Sequence, residues 1–181
     1  MCLRLSTQKH SGRALRAKDI ALIGLVVAVI EVCKYFLAVI PNVELTSFWI
    51  IMFALYFGRR IFYVIPVFIL IEAVIYPFGL WWIMYLYAWP ILAIVTLILR
   101  KMNTAWDWAM VSGLFGLSFG FLCAIPYIFT SGFYGAFVWW VAGIPWDLVH
   151  GIANFAIMLV LYKPIKYVMS IVQNIDQLKK I

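Results

Sequence analysis

Ionisable side chains within apolar stretches are the residues of this sequence best suited to chemistry. They are Glu31, Lys34, Glu72, Asp147 and His150. An ionisable group at membrane depth is costly unless it finds a partner, and such groups commonly mark binding sites or ion pairs. Carboxylates accept hydrogen bonds, an ammonium donates them, and an imidazole can do either. Together these residues predict a polar site for a small molecule inside an apolar protein.

The spacing of the polar residues suggests how helices would present them, because residues three or four apart share a helix face. Three groups have this spacing: Glu31 with Lys34, Glu72 with Tyr76, and Asp147 with His150 and Asn154. At about 1.5 Å per residue the three groups lie at similar depth. Glu31 and Lys34 are also predicted to pair. The groups converge on the half of the bundle that we expect to face outward.

Aromatic side chains concentrate at the same level. Six tryptophans lie at or near the predicted external helix ends: Trp49, Trp81, Trp82, Trp139, Trp140 and Trp146. Aromatic rings with a few convergent polar groups are typical of a small-molecule site.

Each of these features also has a structural alternative. Tryptophans anchor helices at membrane interfaces. Glu31 and Lys34 could only neutralise each other, Asp147 could cap a helix, and His150 could bond a neighbouring carbonyl. The convergence of all these residues on one side of the predicted bundle favours a ligand site over the structural alternatives.

Composition identifies the surroundings of this site. The chain has 181 residues, of which 67% are hydrophobic, 18% aromatic and 12% charged. Soluble domains carry about 25% charged residues, so the chain is predicted to be an all-α, polytopic integral membrane protein forming one domain over residues 1–181. The cysteines Cys2, Cys33 and Cys123 form neither a disulfide framework nor a metal cluster. No cofactor and no metal are expected.

Six apolar stretches predict a bundle of six transmembrane helices over residues 19–168. Their predicted ranges are 19–40, 43–57, 61–75, 80–99, 106–129 and 145–162. Residues 132–143 are predicted to form an interfacial loop, with a short re-entrant segment as the alternative. Residues 1–18 and 169–181 are predicted to be a cytoplasmic segment and a cytoplasmic tail.

Lysine and arginine determine the predicted orientation. All but Lys34 fall on one side of the six stretches: before the first, between the second and third, after the fourth and after the sixth. By the positive-inside rule both termini are predicted to be cytoplasmic, and the protein is predicted to be a multi-pass protein of the cell membrane. The net charge of +7 then reflects topology and contact with anionic lipid rather than nucleic-acid binding.

Small residues form a stripe on the first helix, and they are Ala17, Ala21, Gly24 and Ala28. Such stripes let helices approach closely in lipid, which predicts docking against another membrane protein. Internal packing is the alternative, and it is the expected role of Gly113, Gly116 and Gly120.

Enzyme and pump alternatives are weaker. Gly116-Leu117-Ser118-Phe119-Gly120 matches a Gly-x-Ser-x-Gly string and, with His150, would suit a rhomboid-like serine protease, but the string normally marks a strand-to-helix turn. Zinc proteases of the His-Glu-x-x-His type are excluded because only His10 and His150 exist. The sequence has no phosphate-binding loop for ATP.

Four segments resemble one transporter family. They are Pro41-Asn42-Val43-Glu44-Leu45, Phe57-Gly58-Arg59-Arg60, Leu70-Ile71-Glu72 with Tyr76-Pro77-Phe78-Gly79-Leu80-Trp81-Trp82, and the run from Gly143 to Asn154. The chain is similar over residues 15–168 to the substrate-binding S components of energy-coupling factor (ECF) vitamin transporters, most of all the hydroxymethylpyrimidine branch. Ala17 and Ala21 match the family's alanine motif.

This resemblance implies a mechanism and partners. Family members capture a vitamin from outside, dock on a membrane scaffold protein with two cytoplasmic ATPases, and topple to release it inward. Residues 41–46 would form the gate. The substrate is expected to be hydroxymethylpyrimidine or a vitamin B6 vitamer, with cobalamin or another vitamin as the alternative. The candidate binding residues are Glu31, Lys34, Asn42, Glu44, Glu72, Tyr76, Trp81, Trp82, Trp146, Asp147, His150 and Asn154.

Overall fold

The computed structural model describes residues 17–178, with side chains for residues 17–172. Its helices are α1 (Ala17–Leu37), α2 (Thr46–Phe57), α3 (Ile61–Ile75), α4 (Leu80–Ile98), α5 (Ala105–Ala124) and α6 (Tyr127–Leu178), with a 3-10 turn at Gly58–Arg60. The predicted all-α class is confirmed for this range. Residues 1–16 and 179–181 of the predicted cytoplasmic segments lie outside the described residues.

Five helical stretches are long and apolar enough to cross a membrane: Ala17–Leu37, Thr46–Ile75, Leu80–Ile98, Ala105–Ala124 and Tyr127–Val172. The second combines α2 and α3 around the turn at Gly58–Arg60. The chain therefore has the helices of a multi-pass membrane protein.

The stretch from α2 to α3 reverses direction. Gly58 adopts φ 59° and ψ −135°, outside the helical region, at the junction. The start of α2 lies beside the end of α1, where Trp49 Nε1 is 3.3 Å from Cys33 Sγ. The end of α3 lies at the same level, where Glu72 pairs with Lys34. Both helices thus run the length of α1 in opposite directions.

The lysines and arginines of the described range other than Lys34 collect at the end where α2 meets α3, called here the basic end. Arg60 lies 3.3 Å from the carboxylate of Asp19 near the start of α1. Lys166 of α6 bonds Asn103 before α5, and its carbonyl accepts a 3.0 Å hydrogen bond from Tyr56 of α2. The other basic residues within a few positions of these contacts are Lys18, Arg59, Arg100, Lys101 and Lys163.

Local chemistry explains where several helices begin and end. Thr104 caps α5 in a capping box with Asp107, which starts the helix at Ala105 rather than at the predicted residue 106. Tyr76 precedes Pro77 and is extended, so α3 ends at Ile75 as predicted. Asn42 has φ 58°, a left-handed conformation that asparagine tolerates, in the loop before α2.

Other predicted boundaries need correction. The first helix covers 17–37 rather than 19–40, because residues 38–40 form turns before Pro41. The second begins at residue 46 rather than 43, and the fifth ends at 124 rather than 129. The predicted tail is helical through residue 178.

The prediction of a loop over residues 132–143 is wrong. The span α6 from Tyr127 to Leu178 consists of two helices that meet at the non-helical residue Gly132 (φ 70°, ψ 176°), and residues 133–143 belong to the second of them. The ring of Tyr127 stacks on that of Trp139 at 4.6 Å, so the chain turns back on itself at Gly132. The sixth helix therefore begins well before the predicted residue 145, and α5 and α6 form a long hairpin.

Glycines allow α5 and α6 to pack closely. A Cβ on Gly116 would lie 2.9 Å from the Gly151 Cα, and one on Gly113 would lie 3.1 Å from the Phe155 Cβ. Both glycines are buried, so their predicted role in internal packing is confirmed. The core continues through α2, whose side chains from Thr46 to Ala54 are buried except that of Trp49.

Candidate functional site

An ion pair between α1 and α3 forms the first half of the site. The Lys34 ammonium contacts the Glu72 carboxylate, and the Glu72 side chain is 1% exposed. The carboxyl of Glu31 lies beside both groups. Lys34 thus interacts with Glu31, as their spacing allowed, but its direct ion pair is with Glu72 on the neighbouring helix. The Lys34 ammonium therefore lies near two carboxyl groups, those of Glu31 and Glu72.

Aromatic rings surround this cation. The Lys34 Nζ lies 4.9 Å from the ring centre of Tyr76, 5.5 Å from that of Tyr85 and 5.8 Å from that of Phe68. Ring faces attract cations at such distances. Tyr76 takes part because the extended conformation before Pro77 places it at the end of α3. Three rings and two carboxyls therefore form a cage for a positive charge.

A contact between the loop and α6 forms the second half. His150 is 4% exposed, and its Nε2 lies 3.2 Å from Oε1 of Glu44. The alignment is poor, and neither atom makes a hydrogen bond. Burial would raise the pKa of Glu44, but the facing His150 and Lys34 outweigh it and lower that pKa. Glu44 thus brings a carboxylate from the predicted gate, residues 41–46, into contact with α6.

Asp147 and Asn154 occupy the same face of α6, above and below His150. Oδ1 of Asp147 accepts a 2.9 Å hydrogen bond from the Gly120 N–H. Asn154 donates to Ser47 Oγ at 3.3 Å and is 1% exposed. The shared face predicted from their spacing is confirmed. The capping alternative for Asp147 is wrong, because α6 begins far upstream and the carboxylate bonds α5 instead.

Aromatic side chains of α4 and α5 connect the two halves. Phe119 lies 4.8 Å from the His150 ring and 5.6 Å from Trp89, and Trp89 lies 5.2 Å from Tyr85. Tyr85 interacts electrostatically with both Glu44 and Glu72. The sequence analysis missed Tyr85, Trp89 and Phe119. Their spacing of four along α4 was the available signal for Tyr85 and Trp89, but it looks the same as ordinary core packing.

Several buried polar atoms of the site have no hydrogen-bond partner. They are Oε1 of Glu31, Oε1 of Glu44, Oε1 of Glu72, Oδ2 of Asp147, Nε2 of His150 and Oδ1 of Asn154. A buried polar atom without a partner costs about 1–3 kcal/mol. Their concentration at one end of the bundle, opposite the basic end, is the strongest sign of a ligand site.

The remaining predicted site residues lie at the margin. Asn42 is exposed in the loop, and Trp146 is 57% exposed, outside the buried face of α6 that carries Asp147. Trp81 donates to the Pro77 carbonyl at 2.9 Å and Trp82 to the Ile69 carbonyl at 3.3 Å. Both indoles therefore have partners within the protein, and the Trp81 ring packs against those of Tyr76 and Tyr85.

The small-residue stripe of α1 lies on the surface. Its members, Ala17, Ala21, Gly24 and Ala28, are all exposed. A Cβ on Gly24 would meet nothing within 4 Å. The stripe is therefore a smooth outward face and not part of the internal packing.

Two other kinds of site find no support. Ser118 is exposed and donates to the Leu114 carbonyl at 2.8 Å, whereas His150 is buried against Glu44. That arrangement does not support the serine protease alternative. Among residues 17–172, no group of three histidine, cysteine or acidic side chains could hold a metal ion.

Comparison of the chain with protein-family models, with curated proteins and with solved structures finds no match.

Proposed function

We propose that the protein is the substrate-binding S component of an ECF-type vitamin importer and captures a small vitamin or precursor of the hydroxymethylpyrimidine or vitamin B6 type. One observation carries the proposal: side chains from α1, the loop before α2, α3 and α6 converge on a buried polar site with unpartnered atoms. Its walls are aromatic, as suits a flat heteroaromatic ligand.

The proposed topology has six passes with both termini in the bacterial cytoplasm. The reversal at Gly58 supports counting Thr46–Ile75 as two passes rather than one. The collection of basic residues at one end supports placing that end inside. The polar site then opens toward the outside, where an importer meets its substrate.

Proposed partners are the membrane scaffold protein and two cytoplasmic ATPases of the transporter. The exposed small-residue stripe of α1 supports scaffold docking, because it permits close helix approach in lipid. We assign ATP hydrolysis to these partners, in line with a sequence that contains no phosphate-binding loop. No enzymatic activity of the chain itself is proposed.

A binding screen tests the function. Detergent-purified protein is heated in the presence of a vitamin panel that includes hydroxymethylpyrimidine, the B6 vitamers, cobalamin, riboflavin and biotin, and unfolding is followed by fluorescence. A ligand present at 100 times its Kd stabilises the folded state by about 2.7 kcal/mol, which gives a shift of a few degrees. We expect such a shift with a small nitrogen heterocycle.

The control is a variant with the site disabled. His150→Ala removes a side chain of the site, and the shift should shrink in that variant but not in Trp106→Ala, where a 63% exposed tryptophan near the basic end is lost. A shift with cobalamin alone would select the alternative substrate. If no vitamin of the panel shifts the unfolding temperature, the S-component proposal is overturned.

A further inference from the structure

Two carboxyl groups of the site lie against each other, one from α1 and one from α3. The Glu31 carboxyl is within hydrogen-bonding reach of the Glu72 carboxyl. Oε1 of each group is buried and has no hydrogen-bond partner. An ionised carboxylate only accepts hydrogen bonds, whereas a protonated carboxyl also donates one. The two groups can therefore bond each other only if one of them holds a proton.

The balance of charge leads to the same conclusion. The Glu72 side chain is 1% exposed and pairs with the Lys34 ammonium. If Glu31 were ionised as well, two carboxylates would share this one ammonium, and one negative charge would have no cation. Uncompensated charge is expensive in a medium of low dielectric constant. With one proton added, the three side chains together carry no net charge.

The neighbouring groups do not supply the missing positive charge. The other titratable side chains that face the pair or Lys34 are Tyr76, Tyr85 and Glu44, and His150 in turn faces Glu44. Tyrosines are uncharged at neutral pH. Within the described residues, the cations near the pair are thus Lys34 and, when protonated, His150, and each already has a carboxylate of its own. A proton is the cation that remains.

Protons can reach the pair from the surface of the protein. An open cavity of about 240 Å³ lies between the ends of α1 and α3, and Glu31 and Tyr76 are among its lining residues. Glu31 is partly exposed there, whereas Glu72 is buried behind it. Since Glu72 stays ionised opposite Lys34, Glu31 is the group that holds the proton and exchanges it.

We propose that Glu31 and Glu72 form a proton-binding site, in which Glu31 is protonated at neutral pH and donates a hydrogen bond to Glu72, while Glu72 remains paired with Lys34. This inference goes beyond the proposed function and does not depend on it, because the pair binds its proton in the absence of any other ligand. Loss of the proton would add one negative charge to the polar site.

Infrared spectroscopy of the ligand-free protein, reconstituted in lipid at neutral pH, tests the inference. The C=O stretch of a protonated carboxyl is separate from that of a carboxylate and shifts in deuterated water. Glu31→Gln should remove one such band, because the protonated group is lost. Asp107→Asn removes a carboxyl near the basic end and should leave the band in place. An unchanged band in Glu31→Gln would overturn the proposal.

Glu72→Gln distinguishes a shared proton from one that burial alone retains. In this variant Lys34 loses its partner, and the remaining nearby carboxyl is that of Glu31. Glu31 should then ionise to pair with Lys34, so the same band should disappear. A band that persists in folded Glu72→Gln would show that Glu31 holds its proton without Glu72, which contradicts a shared site.

The pH dependence of unfolding gives a second test, which needs only Glu31→Gln to fold. As pH rises from mildly acidic to mildly alkaline, the folded state holds a proton that the unfolded chain has released, so the unfolding temperature of the wild type should fall. Glu31→Gln offers an amide donor to Glu72 at every pH, so its fall should be clearly smaller. Asp107→Asn should behave as the wild type does. Equal pH dependence in the wild type and Glu31→Gln would overturn the inference.

Discussion

Gly120 determines where the Asp147 carboxylate can lie. It donates its N–H to Oδ1 at 2.9 Å, and a Cβ at this position would sit 2.7 Å from Cγ of Asp147. Any side chain at residue 120 must therefore displace the carboxylate. The glycine serves the site as well as the packing of α5 on α6.

Replacing Gly120 with alanine should destabilise the protein by about 1–3 kcal/mol, the usual cost of overpacking a buried contact. The measurement is thermal unfolding in detergent. Gly24→Ala is the matched control, because a Cβ there meets nothing within 4 Å. It should be neutral or stabilise α1 by up to about 1 kcal/mol, since alanine favours the helix. Equal unfolding temperatures for the two variants would contradict the role assigned to Gly120.

At the level of single residues the sequence predicted which side chains belong to the site better than it predicted their partners. An ionisable side chain at membrane depth carries a free-energy cost, and this criterion identified Glu72 and His150 as candidates. Both side chains are buried. Helical spacing suggested that Glu31 pairs with Lys34, yet Lys34 reaches Glu72. Pairing across helices depends on which helices are neighbours, and local spacing contains no information about that.

The helix α1 has two different faces on opposite sides. Its buried residues, among them Val26, Val27 and Ile30, pack against the bundle, while Ala17 and Ala21 face outward. Because the outward stripe is smooth, a second helix can lie close to it. The proposed ligand binding and the proposed partner docking should therefore be separable by mutation.

Replacing Ala17 and Ala21 together with tryptophan should abolish vitamin uptake and co-purification with the scaffold protein, since large side chains hold the helices apart. Ligand affinity should stay within about twofold of wild type, because neither residue lies near the site. Val160→Trp is the control, a 69% exposed position on α6. Normal uptake by the double variant would contradict the docking role of α1.

Helices were predicted well where one residue marks a boundary, and less well elsewhere. Pro77 ended α3 where predicted, because it forces Tyr76 out of the helical conformation. The segment 132–143 was assigned to a loop because its glycines suggested a break. Only Gly132 leaves the helical conformation, and Gly135 and Gly143 remain within α6. A single glycine costs a helix only about 1 kcal/mol relative to alanine, so a helix can continue through such positions.

The whole molecule has two chemically different ends. The basic end holds the lysines and arginines of the described loops, and the opposite end holds the polar site. Composition predicted a membrane protein, and the placement of charge predicted this polarity. The closure of the site, with Glu44 against His150, was beyond sequence reasoning because it depends on how the loop folds over α6.

Reporter fusions test the six-pass topology. Fusions after Lys101 and after Leu178 should both report the cytoplasm, and a fusion after Ser131 should report the outside. The physical reason is the positive-inside rule applied to the basic end. If Thr46–Ile75 crossed only once, the fusions after Lys101 and Leu178 would both report the outside, given the same position of the N-terminus. That result would contradict the hairpin of α2 and α3.

The lipid around this protein meets helices of very different length. On one side it meets α3, whose 15 residues span about 22 Å, short of the roughly 30 Å of a bilayer core. On another it meets α6, whose apolar surface continues through Phe133 and Tyr134. No single bilayer thickness suits both helices, and each ångström of mismatch costs only a fraction of a kcal/mol. The tilt of the molecule relative to the bilayer normal should therefore change with the acyl-chain length of the surrounding lipid.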